Sequence, residues 1–130
     1  MTPEQVAAYR ASFSGRLQDK YRIHEQRRQE LMQTVLRCAH KTFSRFPSIQ
    51  RAYLFGSIIR PNEFHSLSDV DIGIEGATAE EYFGVWAAFE ELLPQVAIDI
   101  RDVDPLTSFG QAITRTGIQI YERTDTSPSS

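Results

Sequence analysis

The stretch LFGSIIRPNEFHSLSDVDIGI, residues 54–74, decides how this chain is read. A short strand, Gln50 to Phe55, runs into Gly56-Ser57, and a polar loop containing Pro61, Asn62 and several serines follows. Asp69 to Ile74 then alternates with period two, which predicts a strand with Val70, Ile72 and Ile74 on one face. The same alternation sends Asp69 and Asp71 together to the opposite face. Two carboxylates held side by side repel, so a sheet carries such a pair cheaply only where it is solvated or shares a cation. Upstream of the pair, a Gly directly after a strand lets an anion approach the backbone. The Ser57 hydroxyl and the local amides can donate to that anion, and Arg60 stands three residues on. Alone, an Asp-x-Asp is usually a solvated strand edge and a Gly-Ser usually a turn. The order in which they stand here is the informative part.

Downstream, Thr78 followed by Glu81 is a capping box that opens a helix over about 79–93, stopped by Pro94. Val96 to Ile100 (VAIDI) reads as a third strand. Its Asp99 sits alone between Ile98 and Ile100, where a charge is costly unless paired or bound to metal. If this strand lies beside 69–74, three carboxylates converge in an oxygen-rich site suited to Mg²⁺. Metal carboxylates opposite phosphate donors make a nucleoside-triphosphate site, fit for phosphoryl or nucleotidyl transfer. Pro105 to Thr114 predicts a short helix, Gly117 its C-cap, and Ile118 to Tyr121 a last strand. The polar stretch 124–130 is expected to be a disordered tail. The fold class is α/β in the α+β sense: a small mixed sheet packed with helices.

Upstream, residues 3–46 read as helix, with Pro3 in the first turn and Pro47 ending the run. Val6, Tyr9, Phe13, Leu17 and Tyr21 form one apolar stripe, and Leu31, Val35, Ala39, Phe43 and Phe46 a second. Between them His24 to Glu30 (HEQRRQE) is polar all round and reads as a solvated spacer. The expected organisation is an N-terminal helical arm over 1–30, a domain over 31–123, and the tail. The arm's stripe calls for a partner, a second copy or another protein, unless it folds back on its own core.

Composition narrows the class. A chain of 130 residues, 41% hydrophobic and 24% charged, predicts one globular domain. No apolar run approaches the ~20 residues of a membrane span, and MTPEQVAAYR lacks a secretory core. The single cysteine, Cys38, excludes an internal disulfide framework and a Cys-based zinc site. A cytoplasmic protein without membrane contact is expected. The net charge of −3 conceals a division: residues 1–60 carry +7 and residues 61–130 carry −10. Such a division suits either a phosphate-facing arm or a self-complementary fold. Twelve of the fourteen basic residues are Arg, which favours bidentate contacts to carboxylate or phosphate.

Taken jointly, Leu54-Phe55-Gly56-Ser57, Arg60, Ser68-Asp69-Val70-Asp71, Asp99 and the closing Gly117-Ile118-Gln119-Ile120-Tyr121 resemble a minimal nucleotidyltransferase of the DNA polymerase beta superfamily. The nearest type is MNT, which includes the antitoxin partners of HEPN-domain toxins. The resemblance covers about residues 31–123. It implies that Asp69, Asp71 and Asp99 bind Mg²⁺ and carry catalysis, and that Gly56, Ser57, Arg60 and Ser68 bind the nucleotide. It also implies ATP as donor and a tyrosine hydroxyl of a HEPN-type toxin as acceptor, silenced by AMP transfer. Two features depart from the pattern. Eleven residues separate Ser57 from Asp69, one more than usual, and Pro61 stands where Gly is common. Both concern the loop rather than the ligands.

Other candidates carry blander readings. His24 and His40 read as surface residues, while His65 lies in the loop and can reach phosphate. Arg60 and His65 have the spacing of an Arg-x4-His ribonuclease motif, but Pro61 and Asn62 predict a loop where that motif needs a helix. Tyr82, Phe83, Trp86 and Phe89 fit a core better than a base platform, and Cys38 reads as a small buried apolar residue. Arg22, Arg27 and Arg28 suit a solvated helix face, so direct nucleic-acid binding is not expected. Two alternatives to the enzyme reading stand: a non-catalytic module that occludes a partner through its arm, and nucleotidyl transfer to a small molecule such as an aminoglycoside. The absence of room for a separate acceptor-binding domain disfavours the second.

Overall fold

The alternation that predicts strands at both ends of the 54–74 stretch produces the two central strands of a four-stranded sheet. The computed structural model describes residues 1–66 and 68–124. Strands β1 (Arg51–Phe55), β2 (Val70–Glu75), β3 (Ile98–Asp102) and β4 (Ile118–Glu122) lie in the order β3-β2-β1-β4. β1 is antiparallel to both β2 and β4, and β2 is parallel to β3. A parallel pair needs a crossover, and α2 (Ala79–Leu92) supplies it. The Thr78–Glu81 capping box forms as expected, and the second Glu81 oxygen also accepts from Ser48 N at 3.1 Å. α3 (Ser108–Thr116) follows β3.

One sheet face is the main core. Leu54, Val70, Ile72, Ile74, Ile98 and Ile100 pack under Leu31, Val35, Ala39 and Phe43 of α1 (Pro3–Phe43) and Val85 and Phe89 of α2. Phe43 stacks at an angle against both Phe89 and Tyr121, with centroids 5.4 Å apart in each pair. The other face holds a smaller cluster, Tyr53, Val103 and Ile113 with Phe55, beneath α3. Since α3 covers only part of that face, the residues beside it stay accessible.

Five expectations need correction. α1 stops at Phe43 rather than at residue 46, because past Ser44 the N–H groups of Arg45 and Phe46 turn to the carbonyls three residues back, Thr42 and Phe43. β3 is shifted two residues along from 96–100, since the Val96 N–H turns back to the Leu93 carbonyl. HEQRRQE is not a solvated spacer. Arg28 is buried, and Arg27 donates to the Gln95 carbonyl at 3.0 Å, so this segment docks through polar contacts where apolar ones are lacking. Cys38 is half-buried rather than in the core, and of the α2 aromatics Phe83 is exposed. Upstream of His24 the helix runs on with its stripe in solvent: Tyr9 is 64% exposed and Phe13 58%. The tail expected at 124–130 lies outside the described residues, Thr124 apart.

Candidate active site

β1 ends at Phe55, and Gly56 opens a single 3-10 turn, Gly56–Ile59, with φ at 75°. Only Gly adopts that conformation without strain, and here it has a second reason: a Cβ at this position would collide with Asp71 Oδ2. The backbone of the Gly-Ser turn therefore lies directly against a carboxylate. Phe55 faces Asp71 across β1 and β2, and Asp71 faces Asp99 across β2 and β3. Register partners share a face, so these two Asp side chains stand in one row, opposite the buried Val70, Ile72 and Ile74. Asp69 is exposed just before β2.

Like charges in such a row affect one another. Burial pushes the Asp71 carboxyl up to about 6, and the Asp99 and Asp69 charges add to the rise against opposition from Arg101 and Arg60. All three carboxylates and two guanidinium groups therefore share one electrostatic field. The side chains do not close into a ligand cage as they stand: among the described residues no three His, Cys, Asp or Glu have that geometry. Asp99 Oδ2 accepts instead from Arg101 Nε at 3.1 Å.

The expected phosphate-side residues are near, with some of their groups engaged. Ser57 is half-buried in the turn, its carbonyl accepting from Arg60 N at 3.1 Å. Arg60 is exposed and pairs with Glu63. The Ser68 hydroxyl accepts from His65 N at 3.0 Å, and Ser68 N donates back to the His65 carbonyl at the same distance, which closes the loop before Asp69. Arg60 and His65 sit in that loop, not on a helix, as Pro61 and Asn62 predict. His40 is exposed. His24 departs from its surface reading: it is half-buried, in a pocket with Tyr21, Asn62, Phe64 and His65, and its Nε2 is shielded from solvent.

Sequence reasoning missed two charged residues here, Arg101 and Glu25, and read a third, Arg28, as solvated. Arg101 is signalled by its period-two spacing from Asp99. Arg28 NH1 donates to the Ile58 carbonyl of the 3-10 turn at 2.9 Å, and Glu25 Oε2 accepts from Asn62 N at 3.1 Å. The signal of these two was phase. Arg28 stands three residues before Leu31 and seven before Val35, on the buried side of the helix.

Comparison with known proteins bears on this arrangement. Residues 39–126 match the family model described as polymerase beta, nucleotidyltransferase. No protein of curated function matches the sequence. Among solved structures, the toxin-antitoxin with AMP-PNP is 21% identical with a TM-score of 0.55, covering 68% of this chain and 74% of that one. The toxin-antitoxin MntA-HepT is 20% identical with a TM-score of 0.50, covering 70% and 73%. At such identities the likeness is one of fold. The family match goes further, since it takes in the whole sheet together with Gly56, Asp69, Asp71 and Asp99, and on that ground the chain belongs to the polymerase beta nucleotidyltransferase family.

Proposed function

We propose that this nucleotidyltransferase transfers AMP from ATP to a hydroxyl of a HEPN-type toxin, a tyrosine side chain, and so acts as an antitoxin in the cytoplasm. The observation that carries the reading is the pairing of Asp71 with Asp99 across two parallel strands, with the Gly56 backbone packed on Asp71. The fold neighbours support it, being toxin-antitoxin proteins of which one holds AMP-PNP.

The chemistry of these residues suits Mg²⁺, and the ion would draw together carboxylates that do not stand as a ligand set on their own. The donor set is oxygen alone, and a cation in the field of three carboxylates relieves the repulsion that adds to the effect of burial on Asp71. Asp69, Asp71 and Asp99 would hold the ion, which when bound neutralises triphosphate charge and makes the acceptor hydroxyl more acidic. The chain's own groups do the rest. Gly56 and Ser57 grip the β,γ-phosphates, Arg60 exchanges Glu63 for phosphate oxygen, and Ser68 keeps the loop in the shape the nucleotide meets. Asp99 receives the proton from the acceptor hydroxyl. The acceptor oxygen then bonds to the α-phosphorus as the bond to pyrophosphate breaks. Catalysis here is mainly positioning and charge stabilisation.

The test is intact-mass analysis of the partner that co-purifies with the chain, incubated with ATP and Mg²⁺. One AMP mass per modified hydroxyl is expected with the native protein and none with Asp69→Ala or Asp71→Ala, their circular dichroism unchanged. AMP addition by the doubly substituted protein would sink the proposal. The exposed Tyr9, Phe13 and Tyr21 of the arm favour a second reading, neutralisation by occlusion alone. Toxin neutralisation in cells by the Asp69/Asp71 double variant would decide for it.

A further inference from the structure

Granted a triphosphate on Gly56-Ser57, as proposed above, we infer that Glu25 and Arg28 of α1 are positioning residues for it, holding the phosphate-binding turn and its loop at a fixed height on the helix. Both lie upstream of residue 39, where the family match begins, on the part of α1 outside it.

The geometry is a two-point tie. Arg28, only 5% exposed, directs its guanidinium both ways: Nε and NH2 donate to the two Glu25 oxygens at 2.9 and 2.5 Å, and NH1 donates to the Ile58 carbonyl at 2.9 Å. Glu25 Oε2 then accepts from Asn62 N at 3.1 Å, at a residue whose φ is 67°. Ile58 and Asn62 bracket Ile59, Arg60 and Pro61. The tie therefore fixes both ends of the short segment that presents Arg60, a segment that begins at Ile58, directly after Ser57. A bidentate arginine–carboxylate pair is among the stiffer side-chain contacts available, and its geometry sets direction as well as distance.

Holding α1 down is not what this pair is needed for. Leu31, Val35, Ala39 and Phe43 already bury that helix, each 3% exposed or less. Among the described residues the loop shows no such support between its buried ends. Ile58 and Phe64 are in the core, but Arg60 to Glu63 are exposed, and within the segment the Arg60–Glu63 pair links loop only to loop. The helix contact is what ties that exposed segment to the body. Misplacing a binding group by an ångström costs affinity and rate far out of proportion to the energy of the lost contact.

The test uses the full chain as Glu25→Ala, Glu25→Gln and Arg28→Lys, with three readouts: thermal melting, Mg·ATP affinity by calorimetry, and amide exchange of residues 57–62 without nucleotide. Glu25→Ala is expected to weaken Mg·ATP binding about tenfold, and to speed exchange at Asn62 by a similar factor, through loss of one charge-assisted hydrogen bond. Glu25→Gln, whose amide oxygen still accepts from Asn62 N, should recover most of the affinity. Arg28→Lys keeps one donor for the Ile58 carbonyl but loses the fork, and should fall between them. A role confined to stability would lower melting and leave affinity untouched in protein held well below its melting temperature. Affinity within twofold of native for folded Glu25→Ala therefore overturns the inference. If native protein binds no Mg·ATP, the nucleotide reading itself fails, while unchanged exchange at 57–62 separately overturns the tie.

Discussion

Replacing Asp71 by Asn should make the ion-free protein more stable while disabling it. The Asp71 carboxyl is pushed up to about 6 from an ordinary 3.8, first by burial and then by Asp99 and Asp69. In the folded chain it keeps its proton to about pH 6, in the unfolded chain only to about pH 4. Between those values the folded state binds more protons, so stability falls as pH rises through that window and stays at the lower level above it. At 1.36 kcal/mol per pH unit the full cost is about 3 kcal/mol, and solvent screening at a partly open site brings it to about 1–3 kcal/mol. Asn has the same shape without the charge, so it removes the cost and leaves the packing against Gly56 in place. Urea denaturation in a chelating buffer at pH 7.5 should show Asp71→Asn more stable than native by that amount, with the difference vanishing below about pH 4. Millimolar Mg²⁺ should raise the native midpoint and leave that of Asp71→Asn nearly unmoved. A stability difference between native and Asp71→Asn protein that is flat from pH 4 to 6, or an Asp71→Asn variant with native circular dichroism that is the less stable at pH 7.5, would refute the account of three carboxylates in one field.

Gly56→Ala brings a Cβ against the Asp71 carboxylate at a φ of 75°; a loss of about 2 kcal/mol and no measurable Mg·ATP binding are expected, read by urea melts and calorimetry. Phe89→Ala empties a fully buried site that Phe43 packs against and should cost about 3–5 kcal/mol in the same melts. Thr78→Ala removes the N-cap of α2, far from the carboxylates, and should cost about 1 kcal/mol while leaving Mg·ATP affinity unchanged.

What could be read in the sequence was what period and turn chemistry control. Val70, Ile72 and Ile74 declared the buried face of β2 and, by exclusion, the face of Asp71; Thr78 and Glu81 declared the start of α2; Gly56 declared a turn no other residue could make. Strand order could not be read this way, because nothing local to 98–100 says which neighbour that strand takes. The meeting of Asp71 and Asp99 therefore had to wait for the parallel pairing through α2. HEQRRQE was misjudged for a related reason. An apolar stripe is the usual mark of a docked helix, but a buried guanidinium with a carboxylate and a carbonyl to satisfy it docks as well, and the loop groups this pair reaches, at Ile58 and Asn62, lie thirty or more residues away in sequence. Loop partners of that kind leave no periodic trace.

The division of charge along the chain has a structural use. Among the basic residues Arg27, Arg28 and Arg123 donate to main-chain carbonyls at Gln95, Ile58, Ile49 and Phe46, and Arg51 bridges Glu75 and Glu122 across the sheet. These arginines act as staples between segments, and of them Arg51 joins the basic half to carboxylates of the acidic one. Arg10, Arg16 and Lys20 are different: they stay exposed on the arm beside Tyr9, Phe13 and Tyr21. At 100° per residue, Leu17 and Tyr21 fall within about 20° of Arg28 around the helix axis. They also line one pocket with Asn62 and His65. A protein held against that part of the stripe would thus press on the side of the helix that carries the tie to the phosphate-binding turn. Because α1 is one unbroken helix from Pro3 to Phe43, the surface suited to a partner and the contact that sets Arg60 belong to a single stiff element.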